Sequence, residues 1–318
     1  MTIKSADGPY IEPAEDLEEG APLWIVTATT RPDVALGCIA SWIRTAARPD
    51  RIRLVIVWNN SGAPSWNPTN VADTRHFNGL LANVAWLDRT LDPLGTVPAF
   101  HAGVEWVWMA GTHLSTLPVL GHLVCCFHDD LEIFQYGWDD LVRMHFNNNP
   151  RLMLAGFFGA KGLGRDDIYQ EGMPYDPHQL VRQECFSNLV DGELHGKVVE
   201  WPVKCAVLDG FSAIMRAPAA FDAWTWLHHD LRIVHHAYDA ALGGWTALCG
   251  GECWMLPVKC KHYGGRTAVG DPNYEEWARR QGKSDALHWQ EAHRKVWEWF
   301  RDHPRADGEG PVLPLRVG

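Results

Sequence analysis

The sequence predicts an α/β protein with a mixed central sheet flanked by helices and followed by a C-terminal helical appendage. Three observations carry that reading. Short apolar runs recur at strand length, a helix-period segment separates the first two, and three of the runs end abruptly in polar residues. A strand–helix–strand order with strands apolar on both faces marks a parallel sheet covered on both sides. With 318 residues, 46% hydrophobic and 21% charged, the chain is long enough for a substantial core and too apolar for disorder.

The first strand occupies residues 22–30 and turns polar at its end. Pro32 opens a helix, because its fixed φ suits the first turn, and Ala35, Cys38, Ile39, Trp42, Ile43 and Ala46 share one face. Residues 53–58 form a second buried strand, broken by Asn59, Asn60, Ser61 and Gly62. A looser stretch leads to a short strand at 83–87. Pro98 then opens a helix with Phe100, Val104, Val107 and Ala110 on one side. Residues 122–127 predict a strand that ends in His128-Asp129-Asp130, followed by a helix over 137–147 and a strand from Leu152. The segment 159–200 is polar and rich in Gly and Asp and reads as a loop insertion or lid. An apolar run at 204–208 leads into Asp209 and Gly210, and 254–262 reads as one strand ending at His262. Amphipathic stretches at 274–281 and 285–302 precede a Pro- and Gly-rich tail. The expected organisation is an acidic flexible leader over 1–21, one α/β domain over 22–268, and a helical appendage with tail over 269–318.

A net charge of −11 disfavours a broad grip on nucleic acid, which needs a basic surface to displace counterions. The longest apolar stretch, 114–127, contains Ser115, Thr116, Pro118 and His122 and is too short to span a bilayer. The N-terminus lacks the apolar run of a signal peptide, so a cytoplasmic protein with no integral membrane association is expected. Of the eight cysteines, Cys38, Cys125, Cys126 and Cys205 sit in apolar segments and are expected as free thiols. The 17 tryptophans are expected to serve core and rim packing, and Trp277, Trp289, Trp297 and Trp299 near the end to pack on the domain rather than dimerise or touch a membrane surface.

Open α/β sheets bind ligands outside the carboxyl ends of their strands, so the polar strand ends are where chemistry concentrates. Asp129, Asp130 and Glu132 form a compact set of hard oxygen ligands suited to Mg²⁺ or Mn²⁺ and, through the cation, to a diphosphate. The plainer alternative is a solvated turn, where Asp is common. His262, followed by Tyr263, Gly264 and Gly265, offers an imidazole to a divalent metal and backbone that can approach phosphate. Asp239, beside Tyr238 at the head of a helix-like segment, can act as a general base or simply as a helix-start carboxylate. Cys249, Cys253, Cys260 and His262 supply zinc-ligand types in a competing arrangement. The pairs His228-His229 and His235-His236 either bind metal or line a solvated helix surface.

In this order the motifs resemble the GT-A glycosyltransferases, a Rossmann-related fold, and their family-2 nucleotide-sugar enzymes in particular, over about residues 23–265. The resemblance implies that Thr27, Thr29 and Arg31 contact the nucleotide and that Asn59 and Asn60 read its base. It implies that Gly95 and His101 lie beneath the sugar diphosphate and that Asp129 touches the sugar or ribose. His128 stands where the family has the first Asp of its D-x-D metal motif. Asp130 and His262 would then hold Mn²⁺ or Mg²⁺, Asp209 and Gly210 would border the acceptor, and Asp239 would be the base of an inverting transfer. The implied donor is a UDP- or GDP-sugar. The acceptor is left open among a protein, a glycan, a modified nucleobase and a small molecule. A nucleotidyltransferase and a non-catalytic carbohydrate- or protein-binding module are the alternatives; the former usually has a Gly-rich basic loop after its first strand, where this chain offers only Arg31.

Overall fold

A computed structural model describes residues 21–59, 84–88, 95–114, 121–165, 180–190, 196–264, 279–280, 282, 285–303 and 315–316. In chain order the elements begin with β1 (Leu23–Thr29), α1 (Pro32–Arg44), β2 (Ile52–Trp58), β3 (Val84–Asp88) and α2 (Thr96–Leu114). They continue with β4 (Leu123–Phe127), β5 (Leu131–Ile133), α3 (Trp138–Asn148), β6 (Leu152–Gly156), β7 (Phe158–Arg165) and β8 (Leu180–Ser187). β9 (Val203–Cys205), β10 (Val207–Leu208), β11 (Ser212–Arg216), α4 (Ala217–Thr225) and α5 (Tyr238–Leu248) follow. β12 (Glu252–Met255), β13 (Cys260–His262), α6 (Asp285–Arg301) and β14 (Leu315–Arg316) complete the described chain.

The central sheet runs β3-β2-β1-β4-β11-β6-β12-β9, with β11 and β9 antiparallel to the rest. This is the mixed α/β sheet with flanking helices that the sequence predicts. Alternate residues of its strands feed two cores. Leu23, Ile25, Leu54, Ile56, Cys125 and Phe127 join α1 and α3 on one face, while Val26, Val55, Val124 and Cys126 join α2, α4 and α5 on the other. The expected α1 face, Ala35 through Ala46, is buried in full, as are Phe100, Val104, Val107 and Ala110. Gly103 explains how α2 lies so close to the sheet: a Cβ there would stand 2.3 Å from Val26 Cγ1.

Because β2, β1 and β4 are parallel neighbours, their polar ends emerge along one edge. At the other end of the chain, α6 packs Val296 and Phe300 into the core beside α5, where Gly244 leaves room for the Phe300 ring. Trp226 meets Trp299 edge to face at 4.9 Å, and Trp297 also packs on the core, as expected of these tryptophans. All eight cysteines are free. No helix among the described residues is long and apolar enough to cross a membrane.

Three expected elements differ. The 159–200 segment is not a loop throughout, since β7 and β8 pair antiparallel across it and β10 and β14 extend that second sheet. Its glycines hide the strand pattern; Gly159 is required because a Cβ would lie 2.6 Å from Cys205 Sγ. The 204–208 run divides between β9 in the central sheet and β10 in the second. Residues 254–262 do not form one strand, because Pro257 cannot donate to a ladder; β12 ends before it and β13 pairs with β5 instead. Residues 1–20 of the leader, Asn60, residues 166–179 and most of 274–281 lie outside the described residues.

Candidate metal centre and adjoining cleft

The pairing of β13 with β5 decides the site. Its register sets His262 opposite Leu131, one residue from Asp130, and Tyr263 N–H donates to the Asp130 carbonyl at 3.1 Å. His262 Nε2 thereby comes within 3.2 Å of Asp130 Oδ1. That oxygen is buried and receives no hydrogen bond of good geometry, although the imidazole is close enough to attract it electrostatically. His128 completes the group: one ligand atom from each of His128, Asp130 and His262 lies within 4.8 Å of the others. The rings are held by stacking, His262 on Phe211 at 4.5 Å and His128 on Phe100 at 6.2 Å. Backbone pairing continues past the end of β4, where His128 N–H donates to Phe211 O at 3.0 Å.

Burial and the neighbouring His262 push His128 down to about 4, so the imidazole is neutral at physiological pH. Burial works to raise Asp130, but the close His262 imidazole, His128 and Arg31 hold its carboxyl below the ordinary value. Two imidazoles and one carboxylate whose Oδ1 is buried are a donor set that fits a divalent cation. Asp129 is arranged differently. Its Oδ2 accepts from Thr29 Oγ1 at 2.7 Å, and Arg31 stands 3.7 Å from Asp129 and 3.8 Å from Asp130. Burial, with the Asp130 charge beside it, pushes Asp129 up to about 7. Thr29 is itself locked, since Arg31 N–H donates to its hydroxyl at 2.9 Å.

Beside the triad lies a cavity of about 540 Å³ whose walls include His128, Arg182, Asp209, Tyr238, Asp239 and Trp289. Arg182, from β8, donates to Asp209 Oδ2 at 2.6 Å and also pairs with Asp239 Oδ2. Burial alone would raise Asp209, but Arg182, His262 and the Phe211 N–H hold it down at about 2. Asp239 begins α5, and its Oδ1 accepts from Ala240 N–H at 2.8 Å. Tyr238 and His128 Nε2 share a 2.6 Å hydrogen bond, and Gly210 lies so close to this tyrosine that a Cβ would stand 2.3 Å from its hydroxyl oxygen. Ala237, at φ +60, supplies the sharp turn that delivers Tyr238 and Asp239 to the cavity.

The structure therefore brings Asp130 and His262 together, sets Asp129, Thr29 and Arg31 next to them, and brings Asp209, Gly210 and Asp239 to the adjoining cavity. Other expected residues lie elsewhere. Thr27 is wholly buried in β1, with a hydroxyl that has no partner among the described residues. Asn59 continues β1–β2 pairing through its N–H to Thr29 O, and Asn60 lies outside the described residues. Gly95 packs against Val234, whose carbonyl oxygen a Cβ would approach to 2.5 Å. His101 sits with His228 and His229. Glu132 does not join the metal-capable group and accepts from the Tyr263 hydroxyl at 2.8 Å. The cysteine zinc arrangement is not assembled: Cys249 and Cys253 belong to one core, Cys260 to the other, and no cysteine joins a metal-capable group among the described residues.

Sequence reasoning named His128 only as a replacement for an acid and passed over Arg182 and the Tyr238 hydroxyl. The adjacency of His128 to Asp130 carried some signal, whereas Arg182 carried none, being inside a segment read as loop.

No protein-family model matches this sequence, and none of the curated proteins is similar to it. Among solved structures, 89% of this chain aligns with 72% of a mannosyltransferase from Pyrobaculum calidifontis in complex with GDP-Man and Mn²⁺, at 13% identity and a TM-score of 0.44.

Proposed function

We propose that the protein is a metal-dependent glycosyltransferase that moves a sugar from a UDP- or GDP-sugar to an acceptor hydroxyl with inversion. The observation that supports this reading is the triad His128, Asp130 and His262 standing beside a cavity that Asp239 and Asp209 also line. The resident ion is Mn²⁺ rather than Mg²⁺, because two of the three ligands are imidazoles and Mg²⁺ prefers oxygen. When bound, the cation neutralises the departing diphosphate.

The chain's own residues do the rest. Arg31 adds positive charge beside the two carboxylates and is placed to meet a phosphate. Thr29 and Asp129, locked together, form a rigid floor for the donor. Asp239 accepts the proton of the attacking hydroxyl. To do so its Oδ2 leaves Arg182, which keeps Asp209 as its partner. Trp289, packed against His293 at 4.0 Å, adds aromatic surface to the cavity wall, while the ring of Phe158 is covered by Arg182 at 5.5 Å.

The test is release of nucleoside diphosphate from a panel of UDP- and GDP-sugars in Mn²⁺, with and without EDTA. The expected result is turnover of one donor class, abolished by EDTA and by Asp130→Asn. Absence of metal-dependent turnover and of donor binding across the panel contradicts the proposal.

A further inference from the structure

A second histidine cluster lies apart from the triad and shares no residue with it. His101 projects from α2, one residue beyond the Phe100 that stacks on His128. His228 and His229 come from a five-residue π-helical turn, Trp226–Asp230, that follows α4. In an ordinary α-helix, adjacent residues point about 100° apart, so two consecutive histidines do not reach one partner. The wider turn, closed by Leu231 N–H donating to Trp226 O at 3.0 Å, brings both rings onto His101. Ring centroids are 4.8 Å apart for His101 and His228, 5.1 Å for His101 and His229, and 4.5 Å for His228 and His229. One nitrogen from each ring lies within 4.8 Å of the other two. Tetrahedral bonds of about 2.0–2.1 Å set ligand nitrogens about 3.4 Å apart, so only a modest closing movement is needed.

Three imidazoles packed together repel one another when protonated, and burial beside His228 and His229 pushes His101 down to about 4. Burial and the neighbouring His229 lower His228 as well, with Glu105, one turn along α2, working against them. His101 is buried, His228 half-buried and His229 exposed, so the cluster is anchored at one end and open to solvent at the other.

We propose that His101, His228 and His229 form a second metal site, a three-imidazole cradle for Zn²⁺ or a similar borderline transition ion, with a coordination position open on the His229 side. An all-nitrogen donor set selects such an ion over Mg²⁺ or Ca²⁺. The ion fastens α2 to the π turn, and α2 carries Phe100 against His128, so the second site stiffens the helix that backs the first.

The experiment uses the full chain carrying His262→Ala, which disables the triad, stripped with EDTA and titrated with Zn²⁺ alone by calorimetry and with Co²⁺ by visible absorption. One ion per chain is expected to bind, with the absorption of tetrahedral nitrogen coordination for Co²⁺. Losing an outer partner of a metal ligand already costs about 10–100-fold in affinity, so His229→Ala, an exposed change that leaves packing intact, is expected to weaken binding at least roughly tenfold. His228→Ala is expected to do the same. Absence of a bound ion in the His262→Ala protein, or unchanged affinity in both histidine variants, overturns the proposal. Either failure leaves the donor-binding test at the triad unaffected.

Discussion

Arg182 ties Asp209 to Asp239: one guanidinium nitrogen donates to Asp209 at 2.6 Å and another pairs with Asp239. Strand β8, the residue after β10 and the start of α5 are thereby fixed to one another at the cavity wall. Burial lowers the tendency of this guanidinium to carry charge, but the two carboxylates more than reverse that and keep its proton firmly bound. The arrangement joins the two sides of the cleft through a single cation.

Removing that cation takes the shared guanidinium counter-charge from two neighbouring carboxylates. Breaking a buried pair costs about 3–5 kcal/mol, and partial exposure of these groups reduces the figure to roughly 2 kcal/mol for Arg182→Gln. Urea denaturation at neutral pH measures it. A change below about 0.5 kcal/mol, the range of ordinary surface substitutions, contradicts the bridging role.

Asp239→Asn keeps the shape of the side chain and removes its capacity to take a proton. Turnover is expected to fall by about 10²–10⁴-fold, the usual contribution of a general base. Donor binding, measured by calorimetry in Mn²⁺, is expected to be unchanged. Full activity in this variant refutes Asp239 as the base.

Gly210 supports the site from below, because any Cβ there collides with the Tyr238 hydroxyl that holds His128. Gly210→Ala is expected to destabilise the fold by about 1–3 kcal/mol, as overpacking does. It is also expected to weaken Mn²⁺ binding by displacing Tyr238 and, through it, His128. A variant with wild-type stability and wild-type Mn²⁺ affinity shows that the close approach has no consequence.

Stability at low pH reports on Asp209, whose carboxyl is held at about 2 by Arg182 and its other partners against the pull of burial. Its folded value lies below the unfolded one of about 3.9, so its contribution is complete above that value and disappears as pH falls through the folded one. The unfolding free energy is therefore expected to drop between about pH 4 and pH 2, and Asp209→Asn to flatten that part of the curve. Parallel curves for the two proteins contradict the assignment.

Much of this architecture was legible in the residues. The α1 face could be read because Ala35, Cys38, Ile39, Trp42 and Ile43 keep a helical period, and the strand ends at Thr29 and Phe127 because apolar runs stop sharply. Asp130 and His262 could be named, but not their meeting, which depends on the pairing of β5 with β13. In that same short ladder Glu132 is taken up by the Tyr263 hydroxyl rather than by the metal-capable group. Arg182 was hidden because glycines mask the alternation of the strand it pairs with. The meeting of His101 with His228 and His229 was hidden because a π turn has no signature in a 3.6-residue period.

Under the proposed function, the triad and its cavity bind a nucleoside diphosphate through a divalent cation. Thermal unfolding in the presence of UDP, GDP, CDP, dTDP and ADP, each with Mn²⁺ and with EDTA, tests it most directly. A ligand held by the native state at about 100 times its dissociation constant adds about 2.7 kcal/mol of stability. The account requires one nucleotide to raise the unfolding temperature in Mn²⁺, with the rise absent in EDTA and in Asp130→Asn. No rise with any nucleotide, or a rise indifferent to EDTA and to Asp130→Asn, contradicts it.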